Sequence, residues 1–405
     1  MLEALEQGVK GGVWFSLIDK VYASRTLAAA WRQVHARHGA GGVDRQTVEQ
    51  FATQAALHLQ QLSGALRTGT YGPQPVRRCW IEKLGSAEKR PLGIPTVKDR
   101  VVQTALRLVL EPIFERDFLP CSYGFRPQRG CKDALREVQR LLEGGATWVV
   151  DADIKSYFDT IPHAALMAEV RTRVADGRVL GLLEDYLTQG VLDGLEQWTP
   201  EAGTPQGAVI SPLLANVYLH PVDQALAAAG YRVVRYADDL VILCDSADEA
   251  QRALSLLRSL LEQRGLRLHP EKTRVVDATQ PGGFDFLGYH FEQGKRWPRT
   301  KSLRKLKDTV RRHTRRTRGV SLAVIVADVT AVMRGWFIYF QHSHPTTFPP
   351  LDGWVRMRLR SLLRKRHGRR GRGRGLDHQR WPNAYFRALG LFSLVEARRR
   401  ILQSP

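Results

Sequence analysis

Apolar and polar positions follow two rhythms along the chain. Over residues 13–66, Ala and Leu recur at helical spacing around the turn Gly39-Ala40-Gly41-Gly42, which predicts helices on either side of it. Cys79 to Pro95, CWIEKLGSAEKRPLGIP, reads as extended, with a hairpin centre at Gly85-Ser86. An amphipathic helix is predicted over Val101–Phe118, led in by Lys98-Asp99-Arg100. Trp148-Val149-Val150 begins a short buried strand that carries Asp151 and Asp153 to Ile154, and Pro162–Val174 returns to helix. Ser211–Ala229 is predicted helical, with Ser211 as N-cap and Pro212 at the first helical position. Tyr231–Leu243 reads as a hairpin, since apolar VV and LVIL flank Tyr236-Ala237-Asp238-Asp239, and Ala247–Arg264 is helix again. Strands interleaved with helices predict an α+β or α/β body.

Beyond Gly294 the pattern changes. Lys301–Arg318 is predicted to be a helix with Leu303, Leu306 and Val310 on one face and cations on most others, followed by a strongly apolar helix over Ser321–Phe340. Its most apolar part, Leu322–Met333, is broken by Asp328 and falls short of the ~20 residues a membrane span needs. Residues 364–375, RKRHGRRGRGRG, read as a flexible basic linker. The aromatic segments WPNAYF at 381–386 and LGLFSL at 389–394 follow it.

Charge sharpens this division. The 405 residues carry a formal net charge of +21. Residues 295–405 hold 28 basic and 5 acidic residues, a net +23, so the preceding part is close to neutral. A helix such as KSLRKLKDTVRRHTRRTR brings many cations close together, and a polyanion, nucleic acid first, is the expected partner. The alternative is a solvated face, although this excess is more than solubility needs. Four scattered cysteines with no CxxC pair argue against a disulfide framework and a Cys-based zinc site. The N-terminus, MLEALEQGVK, lacks the apolar run of a secretory signal. A soluble protein of the reducing cytosol is the expectation.

The hairpin carries the candidate chemistry. Two adjacent carboxylates between apolar strands repel each other unless a cation neutralises them; the alternative is a solvated acidic turn. Asp153 ends an earlier apolar strand and could share a sheet with Asp238. Carboxylates converging at strand ends suit Mg²⁺, which takes protein oxygens together with substrate phosphates.

Tyr236-Ala237-Asp238-Asp239 resembles the YxDD box of reverse transcriptases. The surrounding order matches too: RPLGIP at 90–95, YGFRP at 123–127, DADIKSYFD at 151–159, TPQGAVISPLLANVYL at 204–219, HPEKT at 269–273 and FDFLGYHF at 284–291. Together with GAGGVDRQT at 39–47, these blocks most resemble group II intron-encoded reverse transcriptase/maturases. The resemblance implies an α+β right-hand polymerase with fingers, a palm bearing an antiparallel sheet, a helical thumb and a small C-terminal helical DNA-binding segment. Residues 1–78 would be the N-terminal extension and start of the fingers, 79–294 the fingers and palm, 295–367 the thumb or maturase X domain, and 368–405 the basic linker and DNA-binding segment.

Residue roles transfer position by position. Asp153, Asp238 and Asp239 match the catalytic metal-binding triad, with the Ile154 carbonyl beside them, for two Mg²⁺ ions that Mn²⁺ can replace in vitro. Phe158 matches the residue that crowds a ribonucleotide 2′-hydroxyl; on its own it reads equally as a core aromatic. Gln206 matches a contact to the incoming dNTP. Lys83 and Arg90 match cations on its triphosphate, which otherwise read as a solvated hairpin face, and Lys272 matches a proton donor to the leaving pyrophosphate. Arg304, Lys305, Arg311, Arg312, Arg315, Arg316, Arg364, Lys365, Arg366, Arg369 and Arg370 are the expected nucleic-acid contacts. The tail aromatics could instead be the core of a small helical unit.

Expected partners are the parent intron RNA, an RNA template and a DNA primer or target, with no membrane, in a monomer or a dimer of the bacterial cytosol or nucleoid. The chain lacks the Cys pairs of an HNH endonuclease domain, so no second-strand cleavage of its own is expected. Two other readings stay open: a domesticated host enzyme serving CRISPR adaptation, defence or repair, and an RNA-binding splicing cofactor without polymerase activity.

Overall fold

The computed structural model describes residues 12–82, 89–193, 196–204, 207–373 and 375–403. The chain forms two compact units that divide between Val275 and Val276, ahead of the change in charge at residue 295.

The first unit opens with four helices, α1 (Ile18–Tyr22), α2 (Ser24–Arg37), α3 (Val48–Thr53) and α4 (Ala55–Thr68). Strands β1 (Val76–Glu82) and β2 (Lys89–Ile94) pair antiparallel, as the extended pattern predicts. Helix α5 (Val97–Glu115) begins four residues before the predicted start. The Lys98-Asp99-Arg100 lead-in is already helical, because the Thr96 hydroxyl caps the Asp99 N–H and the buried Asp99 carboxylate accepts from Thr96 Oγ1 at 2.6 Å and from Tyr71 OH at 2.5 Å. Twelve of its 19 residues are buried, so it is a central helix rather than a half-exposed one.

Next come α6 (Cys131–Glu143), β3 (Trp148–Asp153), α7 (Tyr157–Thr160), α8 (His163–Arg171), α9 (Gly177–Leu187), β4 (Val191–Asp193), β5 (Glu196–Trp198) and α10 (Ser211–Ala228). Ser211 does not cap α10. Ile210 already has helical backbone angles and is the capping position, which puts Ser211 inside the first turn; a serine cap needs the extended geometry Ile210 lacks. Strands β6 (Arg232–Tyr236) and β7 (Asp239–Cys244), helix α11 (Ala247–Gln263) and strand β8 (Arg274–Asp277) follow. One sheet has the order β2-β1-β4-β5 and another β6-β7-β3-β8. The second matters most for function. Leu240 to Cys244 of β7 are all buried, as expected for a strand covered on both faces. Its partner β3 is buried at Val149, Val150 and Ala152, so its polar side chains stand at Asp151 and at the strand end, Asp153.

In the second unit, β9 (Phe284–Phe286), β10 (Tyr289–Glu292) and β11 (Lys295–Pro298) form an antiparallel sheet. Helix α12 (Thr300–His313) stops short of the predicted Arg318. Continuing it would stack Arg311 on Arg315 and Arg312 on Arg316 at i,i+4 spacing, where like charges oppose a helix. Helix α13 (Leu322–Phe340) runs 19 residues with mean hydropathy 1.6, and by length and composition is able to cross a membrane, unlike the shorter stretch read from the sequence. Ile325, Val326, Val329, Met333, Phe337 and Phe340 on it are buried within the unit.

Helix α14 (Phe348–Arg366) absorbs the start of the expected basic linker. Arg364 pairs with Asp377 at 2.6 Å, and the Gly373 N–H donates to Ser361 Oγ at 3.1 Å. A Cβ on Gly373 would come within 2.7 Å of the Arg360 side chain, so this segment is folded back onto α14 and is not a free linker. Helices α15 (Asp377–Arg380), α16 (Asn383–Ala388) and α17 (Leu394–Gln403) complete the unit. Trp381, Phe386 and Leu394 are buried in its core, so the plainer reading of these tail residues holds.

Candidate active site

Strands β3 and β7 pair antiparallel with Asp153 directly opposite Asp239, and β6 pairs Tyr236 with the same Asp239. Directly opposed residues project from the same sheet face, so these two carboxylates share one face at the sheet's end. Ala237 and Asp238 make the two-residue turn between β6 and β7. Ala237 has φ 60, at the turn position where glycine is the usual residue for a II′ hairpin.

What holds an alanine there is the packing beneath it. A Cβ built on Gly124 would lie 2.3 Å from the Ala237 nitrogen, so only glycine lets this backbone pass. Arg235 is 2% exposed and forms an ion pair with Asp223 through two bonds of 2.8 and 2.6 Å. The same guanidinium donates to the Ala237 carbonyl at 2.9 Å, to Asn216 Oδ1 at 3.0 Å and to Ser122 Oγ at 2.8 Å. Asn216 Nδ2 in turn donates to the Gly124 carbonyl at 2.8 Å. Burial opposes the Arg235 charge, and Asp223 more than offsets it, so its pKa is raised. Sequence reasoning missed this network. Its signal was an arginine inside the apolar run Val233-Val234-Arg235, since a charge in a buried strand requires a partner.

Beside the carboxylates, Lys272 donates to Asp153 Oδ2 at 2.8 Å and Arg274 to Asp151 Oδ2 at 3.3 Å. The His269 N–H donates to the Asp153 carbonyl at 2.7 Å, and Ile154 bridges Leu268. Phe158 is half-buried and meets Phe125 edge-on at 6.3 Å; Phe125 in turn lies 6.4 Å from Tyr236, so an aromatic row runs from Phe158 to the turn. The Thr204 N–H donates to the Phe158 carbonyl at 2.7 Å. On the other flank, a Cβ on Gly207 would come within 2.5 Å of the Gly93 carbonyl of β2. Thr204 is thus anchored on Phe158, and Gly207 against β2. Phe158, Gly203 and Thr204 wall a cavity of about 310 Å³ whose opposite side includes Arg78, Pro91 and Gly93.

Lys83 and Gln206 lie outside the described residues, as does the side chain of Arg90, whose backbone belongs to β2. In the second unit, Arg304, Lys305, Arg311, Arg312, Arg315, Arg316, Lys365, Arg366, Arg369 and Arg370 are exposed. Arg364 is half-buried and tied to Asp377.

Among the described residues, no three His, Cys, Asp or Glu side chains come close enough together to hold a metal ion by themselves. Mg²⁺ does not require that. It is commonly held by one or two carboxylates, with water and substrate phosphates completing its shell. The opposed Asp153 and Asp239 fit that habit, and the ammonium on Asp153 shows that the position draws positive charge.

Residues 81–291 match the family Reverse transcriptase (RNA-dependent DNA polymerase), and residues 303–381 match Group II intron, maturase-specific domain. The chain is 40% identical over 197 residues to Group II intron-encoded protein LtrA of Lactococcus lactis subsp. cremoris, which covers 48% of this chain and 32% of LtrA. The match thus spans about a third of LtrA's length. It is 37% identical over 290 residues to protein YkfC of Escherichia coli (strain K12), covering 61% of this chain and 74% of YkfC. Among solved structures, a chain of the Partial Cas6-RT-Cas1–Cas2 complex is 25% identical, with TM-score 0.39, over 61% of this chain and 41% of that one.

Proposed function

The chain belongs to the reverse transcriptase family, in its group II intron-encoded branch with a maturase-specific domain, and from that premise we propose that it copies RNA into DNA from dNTPs and serves its parent intron RNA as maturase. The maturase role covers splicing and mobility by target-primed reverse transcription. In this reading β2-β1-β4-β5 belongs to the fingers, β6-β7-β3-β8 to the palm, residues 295–367 to the thumb, and 368–405 to a DNA-binding segment. The observation that carries the reading is the strand register that sets Asp153 opposite Asp239 beside the Ala237-Asp238 turn.

Asp153, Asp238, Asp239 and the Ile154 carbonyl would hold Mg²⁺, which when bound supplies Lewis-acid activation of a primer 3′-hydroxyl and neutralises the departing pyrophosphate. The protein's own part is orientation. The Phe158 ring stands against the deoxyribose, and a ribose 2′-hydroxyl would collide with it. Gln206, by its place in the Pro205-Gln206-Gly207 motif, contacts the incoming nucleotide. Lys83 and Arg90 grip the triphosphate through charge-assisted bonds. Lys272, paired with Asp153 in the free protein, carries a proton that it can release to the leaving pyrophosphate. Arg235 keeps the turn in place through the Ala237 carbonyl.

Primer extension by purified protein on an RNA template tests the reading. Asp238→Ala is expected to abolish extension while RNA affinity, measured in parallel, stays within about twofold. Loss of both would make Asp238 a structural residue, and a wild-type protein that does not extend would leave only the RNA-binding role.

A further inference from the structure

Outside the carboxylate site, the second unit contains a concavity of about 350 Å³ to which four chain segments contribute arginines: Arg311 from α12, Arg358 from α14, and Arg316 and Arg372 from the segments after each helix. Thr314, Trp354, Met357 and Ser361 complete the wall. Among the described residues, one carboxylate answers these four cations, Asp308, bound to Arg311 at 2.6 Å. Arg358 finds no carboxylate among the described residues. Its Nε donates to Thr314 Oγ1 at 2.9 Å and its Nη2 to the Thr314 carbonyl at 3.2 Å. Burial, followed by the charges of Arg311 and Arg316, lowers its pKa. The guanidinium carbons of Arg311 and Arg358 lie 5.8 and 5.9 Å from the Trp354 ring centre.

A solvated charge run spreads its cations apart. Here they converge on one hollow, and the half-buried one is hemmed in by its own kind, which disfavours its charged form unless an anion offsets the repulsion. Guanidiniums are the side chains suited to forked contacts with phosphate oxygens. We infer that this pocket binds a backbone phosphate of RNA, with the adjoining nucleoside against Trp354. RNA is the class chosen because all eight lining residues fall within the stretch matching the maturase-specific domain, so the inference rests on the maturase role proposed above. It adds Trp354, Arg358 and Arg372, which charge patterning alone did not single out.

Arg316 and Arg372 are exposed and make no hydrogen bond or ion pair among the described residues, so replacing them should leave the fold intact. The test uses the full chain, a labelled single-stranded RNA oligonucleotide and a DNA of the same sequence, with affinity measured across a salt series. Arg316→Gln and Arg372→Gln are each expected to weaken RNA binding roughly tenfold, the size of one lost charge-assisted contact. The slope of log affinity against log salt should flatten by about 0.7, one phosphate on a single strand. Because both groups serve the same phosphate, the double variant should lose clearly less than the product of the two. Arg316→Lys with Arg372→Lys should keep the slope and lose part of the affinity, since charge survives and the fork does not. Changes under twofold, or fully multiplicative losses, would overturn a shared phosphate site. Equal losses on RNA and DNA would overturn the RNA assignment. A wild-type chain that binds no RNA would instead fail the maturase reading itself.

Discussion

Two arginine–aspartate pairs, one in each unit, have the same length and opposite settings. Arg235–Asp223 and Arg311–Asp308 both measure 2.6 Å; the first pair is 2% and 1% exposed, the second 51% and 56%. Out of water, a guanidinium must satisfy its donors within the protein, and Arg235 does so by tying β6 to the turn, to Asn216 and to Ser122. In water, Arg311 holds its partner loosely and stays open to a competing phosphate. The buried charge fixes a geometry, whereas the exposed charge is left accessible to a polyanion. In the function proposed above, catalysis and RNA capture draw on the same residue type through different degrees of burial.

The largest effect should come from Asp223→Ala, which strands a buried guanidinium and is expected to cost about 3–5 kcal/mol in denaturant unfolding. Asp223→Leu combined with Arg235→Met should recover much of that stability while primer extension stays poor, because the Ala237 carbonyl has lost its donor. Recovery of extension in the pair would show that Arg235 does not position the turn. Gly124→Ala should come next. Its Cβ forces the Ala237 backbone aside, and a displacement approaching 1 Å at a reacting group costs roughly a hundredfold in rate. Single-turnover extension should fall accordingly with RNA affinity unchanged; an unchanged rate would mean that the turn tolerates the shift. Phe158→Ala should raise ribonucleotide incorporation relative to dNTP by roughly ten- to a hundredfold, as for a pocket that loses a steric discriminator. Selectivity equal to wild type would leave Phe158 a packing residue. Asp308→Ala should barely register, within about 0.5 kcal/mol in the same unfolding assay. A cost near that of Asp223→Ala would erase the contrast between the two pairs.

Much of this molecule is legible in its sequence for identifiable reasons. The hairpin, the β3 strand and the helices α2, α11 and α13 show up as apolar rhythm, because burial is what their side chains have in common. The approach of Asp153 to the turn was readable because an acidic residue closing an apolar strand has few other uses. What escaped was the set of positions where one atom decides. Thr96 rather than Lys98 starts α5 because a single hydroxyl caps it, and Ile210 displaces Ser211 because its backbone is already helical. Arg364 and Gly373 read as linker by composition, yet Asp377 and Ser361 tie them down across intervals no local pattern reports. Arg235 carried a signal, as a charge inside an apolar strand, but Asp223, twelve residues away on a helix, is an ordinary surface residue type whose role comes only from the place it shares with Arg235.

The β3–β7 register also bears on how the protein comes into being. Asp153 and Asp239 are strand neighbours separated by 86 residues of chain. At ribosomal speeds of about 5–20 residues per second, roughly 4–17 s elapse between the synthesis of the two. During that interval β3 has no partner on the β7 side, and the nascent chain holds one carboxylate of a site that needs its mate. Assembly of the proposed site is therefore ordered by translation. A chain that ends anywhere in that window carries β3 with its β7 edge unpaired and only one of the two opposed carboxylates; completion of β7 supplies both the partner strand and Asp239, and Lys272 and β8 follow.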